Sequence, residues 1–285
     1  MGRIVLGTAQ FGMDYGINNR RGRLSQKEAS LILEKAVTCH IDMFDTAQGY
    51  GNAEDILGAF VEGHHDKTLS IISKLPSGSC GEVRTLLEAS LDRLRVPCLY
   101  AYLIHDFNAY MDSPEIFNEL QEFKEKGKVK KIGFSLYRPC ELEAILENGL
   151  NFDIVQLPFS IFDQRFSPYL SKLKEKGIEI HARSIFLQGL LFKEVDRLDS
   201  YFSPIRHKIE ELHALSDKVG ISICALCFNF IAINRYVDKI IIGVDRLEHL
   251  EEIITTLDYM SKVRSVIDQL FPLREDNEEI LLPTN

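Results

Sequence analysis

Lys124-Glu125-Lys126-Gly127-Lys128-Val129-Lys130-Lys131-Ile132-Gly133-Phe134-Ser135 decides the fold, because it reads as the end of one element and the whole of the next. Basic residues suit the negative end of a helix, and the glycine suits its left-handed exit. The run Val129–Ser135 that follows at once reads as a strand. Fifty residues later, Lys174-Glu175-Lys176-Gly177 leads in the same way into Glu179–Ser184. Working outward, the other expected strands are Arg3–Leu6, Met43–Asp45, Leu69–Lys74, Leu99–His105, Asp153–Leu157 and Lys239–Val244, making eight. Several are nearly continuous apolar runs, the pattern of strands buried on both faces of a parallel sheet. Between them, Ser25 with Glu28 forms a capping box ahead of an Ala29, Ile32, Leu33, Ala36, Val37 stripe. Ser113-Pro114 and Ser203-Pro204 each set a cap residue before a first-turn proline. Right-handed crossovers close such units most simply into an α/β (β/α)8 TIM barrel. The expected organisation is one domain over residues 1–285, with a tail from about 272 that is flexible or covers the pocket. An open doubly wound sheet is the rival, but no Gly-x-Gly-x-x-Gly follows any strand.

The chain has 285 residues, 45% hydrophobic and 26% charged, with formal net charge −9. A chain of this length buries roughly three quarters of its unfolded surface in one core. The apolar content excludes disorder, and the acidic balance argues against a general nucleic-acid or anionic-membrane binder. It leaves room for a local basic pocket for a small anion. Met1–Gln10 lacks a basic segment followed by an apolar signal core, Leu6 breaks a myristoylation pattern, and Ser222 and Asn229 interrupt the longest apolar stretch, Ile221–Ile233. These features make a soluble cytoplasmic protein the expectation. The six cysteines (Cys39, Cys80, Cys98, Cys140, Cys224, Cys227) are scattered as reduced thiols are. Cys224-x-x-Cys227 lacks a second metal-ligand pair and lies in an apolar helical run, which reads as core packing, and no metal is expected. His64-His65 reads as a solvated loop.

In a barrel of this kind the site lies on the loops at the carboxyl ends of the strands. The second strand ends Met43-Phe44-Asp45, with Tyr50 in its loop; the third ends in Lys74 and the fourth in Ile104-His105. Taken singly, Asp45 reads as a helix cap, Lys74 as a side chain reaching for solvent, and His105 as a satisfied hydrogen-bonding residue. The conjunction is more telling, because charge at the end of an apolar strand is costly without a partner. Asp45 and Lys74 are natural partners.

The set Phe44-Asp45-Thr46-Ala47, Tyr50-Gly51, Glu54, Ser73-Lys74 and Ile104-His105 resembles the catalytic tetrad of the aldo/keto reductase superfamily. The resemblance spans most of the chain, through Gly7-Thr8, Gly127–Ser135, Gln188-Gly189-Leu190-Leu191 and Ile242-Gly243. It implies reduction of a small-molecule aldehyde or ketone by hydride from a nicotinamide. Tyr50 would give the proton, its hydroxyl made about 1–3 pKa units more acidic by a neighbouring ammonium. Lys74 would supply that charge, Asp45 would hold it, and His105 would orient the carbonyl. The runs Gln156–Arg165 and His181–Ser184 are similar to a bacterial branch associated with surface-carbohydrate genes, which puts sugar-derived carbonyls among the expected substrates.

The same resemblance assigns the cofactor to Gly7, Thr8, Asp45, Ser135, Gln156, Arg183, Ser184, Phe186, Gly189, Gly243, Asp245, Arg246, His249 and Glu252. Ser135 and Gln156 would hold the carboxamide, and Ser184 and Gly189 the pyrophosphate. Arg183 stands where an aromatic ring usually stacks on the nicotinamide, and a guanidinium can also stack. Arg246 would meet a 2′-phosphate, favouring NADPH with NADH as the alternative, whereas Asp245 would repel it. Leu136 and Ile253 replace asparagines of the family pattern. Two other readings stay open: a barrel that binds the cofactor as a regulatory subunit without turnover, and a lyase or isomerase in which Lys74 forms a Schiff base.

Overall fold

The computed structural model describes residues 1–65, 67–78 and 81–282. Eight strands, β1 (Ile4–Gly7), β2 (Met43–Asp45), β3 (Ser70–Leu75), β4 (Leu99–Ile104), β5 (Val129–Ser135), β6 (Ile154–Pro158), β7 (Glu179–Arg183) and β8 (Lys239–Gly243), pair in chain order into a closed parallel barrel. Closure runs through Ile4, Val5, Leu6 and Gly7 of β1 beside Ile240, Ile241, Ile242 and Gly243 of β8. The protein is therefore a (β/α)8 barrel.

The two echoing stretches fold alike. Helices Glu115–Glu125 and Leu170–Glu175 end where expected, and Gly127 and Gly177 take φ of +71° and +74°, a conformation that strains any residue with a Cβ. The echo extends to side chains that sequence reading did not link. Lys124 Nζ donates to Asp153 at 2.6 Å, and Asp153 Oδ2 accepts the Ile132 amide at 2.9 Å. Lys174 Nζ donates to Asp238 at 2.8 Å, and Asp238 Oδ2 accepts the Ile180 amide at 2.7 Å. Each aspartate stands just before the next strand but one, and joins the helix end to the strand that follows it. Ser25 and Glu28 form the expected capping box on helix Gln26–Thr38. Ser203-Pro204 differs: it falls inside a 3-10 segment, Ser200–Ile205, whose N-cap is Asp199, so the next helix, Arg206–Val219, begins only after it.

Strand side chains alternate with a period of two, and here the alternation builds the site. Val5, Met43, Ile72, Ala101, Leu103, Ile154 and Ile241 form a buried apolar layer within the barrel. Full burial of such a side chain is worth about 1.5–3 kcal/mol. Two residues further along their strands stand Gly7, Asp45, Lys74, His105, Gln156 and Gly243, with Ser135 and Arg183 at the ends of β5 and β7. The apolar layer is thus the floor beneath a polar ring at the carboxyl mouth. Near the opposite end, Glu179 accepts from Tyr100 (2.8 Å) and Lys131, and its carboxylate lies 2.6 Å from His181 Nε2.

Of the tail, residues up to Leu282 pack beside the loop after β6. Glu275 N donates to Phe162 O at 2.8 Å, Ile280 and Leu281 are buried, and Arg165 Nη1 meets Glu278 at 2.9 Å. None of these tail residues lines the cavity described below. Cys224 and Cys227 are buried in helix Ile223–Ala232, and burial pushes both thiols far up, consistent with core packing; Cys80 lies outside the described residues. Among the described residues no single helix is long and apolar enough to cross a membrane.

Candidate active site

A cavity of about 210 Å3 opens at the carboxyl mouth, lined by Asp45, Tyr50, His105, Ser135 and Arg183 together with residues of the loops after β1, β5, β7 and β8. Beneath it sits a buried ion pair. Lys74 Nζ donates to Asp45 Oδ1 at 2.6 Å and to Thr46 O at 2.8 Å, and both side chains are at least 95% hidden from solvent. Gln156 Nε2 donates to the other Asp45 oxygen. Asp45 is held from its backbone too: Thr8 N and Oγ1 both donate to the Asp45 carbonyl, at 2.9 and 3.2 Å.

Tyr50 is set by a close approach of two chain segments. Gly51 has φ +55°, and a Cβ there would lie 2.2 Å from Gly12 O; a Cβ on Gly12 would lie 1.7 Å from Tyr50 O. Only glycine at both positions lets the loop after β2 close on helix Ala9–Gly12. Glu54, 1% exposed, anchors the next turn by accepting from Ser73 Oγ (2.6 Å), Ser90 Oγ (2.8 Å) and Arg93 Nε (2.8 Å). It thereby ties helix Ala53–Glu62 to the residue beside Lys74. The Lys74 ammonium lies 5.1 Å from the centre of the Tyr50 ring, and the Tyr50 and His105 rings meet edge to face at 6.0 Å.

The electrostatics depart from the expectation for Tyr50. Burial, with Asp45 next, pushes its hydroxyl well above the ordinary tyrosine value. Loss of hydration is the larger cause and the Asp45 carboxylate adds to it, so the presence of Lys74 does not by itself make the phenol acidic. Tyr50 is a fully protonated donor at neutral pH. Burial, reinforced by the charges of Lys74 and Arg183, depresses His105 to about 3, so its imidazole is neutral.

Of the positions assigned to the cofactor by resemblance, Gly7, Thr8, Asp45, Ser135, Arg183, Ser184, Phe186, Gly189, Gly243, Asp245 and His249 line the cavity. Gln156 is not among the lining residues: its Nε2 donates to Asp45, while its Oε1 is buried without a hydrogen-bond partner. Arg246 and Glu252 also lie off the lining. Arg246 is turned to Asp245, with Nε 3.6 Å from Oδ1, and Glu252 sits along helix Leu247–Thr255 at a surface recess beside Ser216 and Ser222. His249 Nδ1 is 2.7 Å from Asp245 Oδ1, so the residue ahead of the helix cap reaches the first turn. Leu136 and Ile253 are buried in the core, so neither side chain faces a ligand. Arg183 stacks on Tyr137, its guanidinium carbon 4.1 Å from the ring centre, and Nη2 donates to Leu136 O at 2.7 Å.

Sequence reasoning missed Gln10, Tyr15, Asn18, Asn19 and Tyr137, which also line the cavity. The rule that loops after strands build the site would have found them, since all follow β1 or β5. The loop after β7 is the most contorted: Ser184, Leu187 and Gln188 hold φ of 58°, 46° and 55°. Non-glycine residues in that region cost of order 1–3 kcal/mol each and gather where structure serves function.

The aldo/keto reductase family model matches residues 3–270, nearly the whole chain. The chain belongs to the aldo/keto reductase family. Among relatives of this aldo/keto reductase, YqkF of Bacillus subtilis, an uncharacterized oxidoreductase, is 24% identical over 249 residues, covering 80% of this chain and 81% of its own. A 6-dehydroglucose reductase of Agrobacterium fabrum is 26% identical over 216 residues, covering 67% and 70%. An aldo-keto reductase from Bacillus halodurans, solved in its holo form, superposes with a TM-score of 0.74 over 94% of this chain and 91% of its own at 18% identity, a likeness of fold.

Family members use nicotinamide dinucleotides, and the polar atoms of the cavity suit such a group. Ser135 Oγ, Gln10 Oε1, Gln188 Oε1 and Arg183 Nε are buried without a hydrogen-bond partner. A buried polar atom left unpaired costs about 1–3 kcal/mol, so this set is built to be completed by a ligand rich in donors and acceptors.

Proposed function

We propose that this oxidoreductase reduces the carbonyl of a small aldehyde or ketone, with Tyr50 as proton donor and a nicotinamide dinucleotide as its partner. Ser135, Ser184, Gly189 and Gly243 would hold the cofactor, which supplies a hydride to the carbonyl carbon. The observation that carries the reading is the sealed Lys74–Asp45 pair beneath Tyr50 and His105 at the cavity floor. Neutral His105 donates a hydrogen bond to the carbonyl oxygen and fixes its direction. Tyr50 delivers its proton as negative charge develops on that oxygen, and the nearby ammonium stabilises the phenolate left behind. Thr46 O and Asp45 keep the ammonium from turning toward solvent.

The same pair speaks against Schiff-base chemistry. A Lys74 amine 1% exposed, bonded to a carboxylate and absent from the cavity lining is neither free nor nucleophilic. NADPH is the cofactor expected from Arg246, and Asp245, which already engages that guanidinium, is the residue set against it. The likeness to a 6-dehydroglucose reductase supports a sugar-derived carbonyl. The test is oxidation of NADPH and NADH across a panel of aldehydes and ketones, with Tyr50→Phe beside the parent. Turnover should fall at least about 100-fold in the variant while cofactor affinity holds. Normal turnover in Tyr50→Phe removes it as the acid, and cofactor binding without turnover by the parent on every substrate favours the regulatory barrel.

A further inference from the structure

Among the described residues, Arg183 is a cation without a counter-ion in a site where Lys74 and Asp245 have theirs. Lys74 is paired with Asp45, and Asp245 with His249 and Arg246. Among the described residues no carboxylate pairs with Arg183. Its guanidinium is oriented by neutral groups: Nη2 donates to Leu136 O at 2.7 Å, Nη1 to Ser184 Oγ at 3.2 Å, and Tyr137 covers one face at 4.1 Å. Nε is buried and unpartnered. Such a group is held in place yet keeps its charge for something else, and a planar fork of donors matches a carboxylate or phosphate.

Its position says which part of a ligand that is. Arg183 lines the same cavity as Tyr50 and His105, and its charge reaches both of them, lowering the proton affinity of each. The backing is firm from outside as well. Arg165 Nη2 donates to Tyr137 O at 3.2 Å, and Arg165 is itself clamped by Asp163 (2.8 Å) and by Glu278 of the tail (2.9 Å). The wall carrying Tyr137 and Arg183 is thus tied to the body of the barrel.

We propose that Arg183 is the specificity residue for an anionic carbonyl substrate, one bearing a carboxylate or phosphate a few bonds from the carbonyl carbon. This rests on the carbonyl-reductase reading for the reaction, but the recognition itself is a matter of binding. A phosphate of the dinucleotide is the other source of the same chemistry, and the experiment separates the two.

Equilibrium binding of 4-carboxybenzaldehyde and of its uncharged methyl ester is measured by calorimetry, with and without NADPH, on the parent, Arg183→Met and Arg183→Lys. The parent should bind the carboxylate at least about tenfold more tightly than the ester, and rising salt should weaken only the former. Arg183→Met should lose that preference, and Arg183→Lys should keep part of it. Equal binding of the two aldehydes by the parent overturns the proposal. So does a tenfold loss of NADPH affinity in Arg183→Met with the carboxylate preference intact, which would give the guanidinium to the cofactor. A carboxylate preference abolished in Arg183→Met, without turnover by the parent of any carbonyl in the panel above, upholds the anion site while removing the reductase reading. Circular dichroism of both variants establishes that each is folded.

Discussion

Replacing Lys74 by Met tests the ion pair on which the site is built. Met keeps most of the volume of the lysine stem, so little cavity is opened and the main loss is charge. Asp45, 4% exposed, would lose the ammonium 2.6 Å away and keep only the Gln156 amide. Removing one partner of a buried pair costs about 3–5 kcal/mol, because the other charge stays behind without compensation. For a chain of 285 residues each kcal/mol moves Tm by about 1.7 °C, so Lys74→Met should melt roughly 5–8 °C below the parent. Adding Asp45→Asn removes the stranded charge and should restore at least half of the loss. Thermal unfolding of the parent, both single variants and the double variant at pH 7, followed by circular dichroism, completes the cycle. A single variant within about 2 °C of the parent, or a double variant whose losses simply add, would refute a buried and mutually dependent pair. His105 provides an independent reading by NMR titration. Lys74 is among the causes that depress it, so its pKa should rise in Lys74→Met.

Two further outcomes follow from the electrostatics of the mouth. His105 is held at about 3 in the folded chain against about 6.5 unfolded, so the unfolded state takes up the proton first as pH falls. Stability is therefore lost on acidification from pH 6.5 downward, by roughly 1–2 kcal/mol at pH 5; His105→Gln should flatten this part of the Tm–pH curve, and an unchanged slope would count against it. Asp245→Asn removes a carboxylate from the cavity wall and releases Arg246, so fluorescence titration should show NADPH gaining about tenfold over NADH, or about 1.4 kcal/mol. A ratio unchanged within about twofold would mean that this carboxylate does not govern the choice of nucleotide.

Local chemistry was enough to determine the individual elements and their order. Helix exits at Gly127 and Gly177, the capping box at Ser25 and the apolar runs of the strands are set by neighbours in the chain. Each strand boundary read from the sequence falls within one residue of its place in the fold. The polar ring was legible for the same reason. Period-two alternation carries Asp45, Lys74 and His105 to one rim once the strands are parallel and consecutive. The closure of β8 on β1, the approach of Gly51 to Gly12 and the stacking of Arg183 on Tyr137 join residues far apart in the chain. No local pattern encodes such meetings. The acidity of Tyr50 belongs with them: the spacing places a lysine near a phenol, but only packing buries that phenol beside the Asp45 carboxylate, and both raise its pKa. Fields depend on three-dimensional distance and on burial, and those are properties of the assembled barrel.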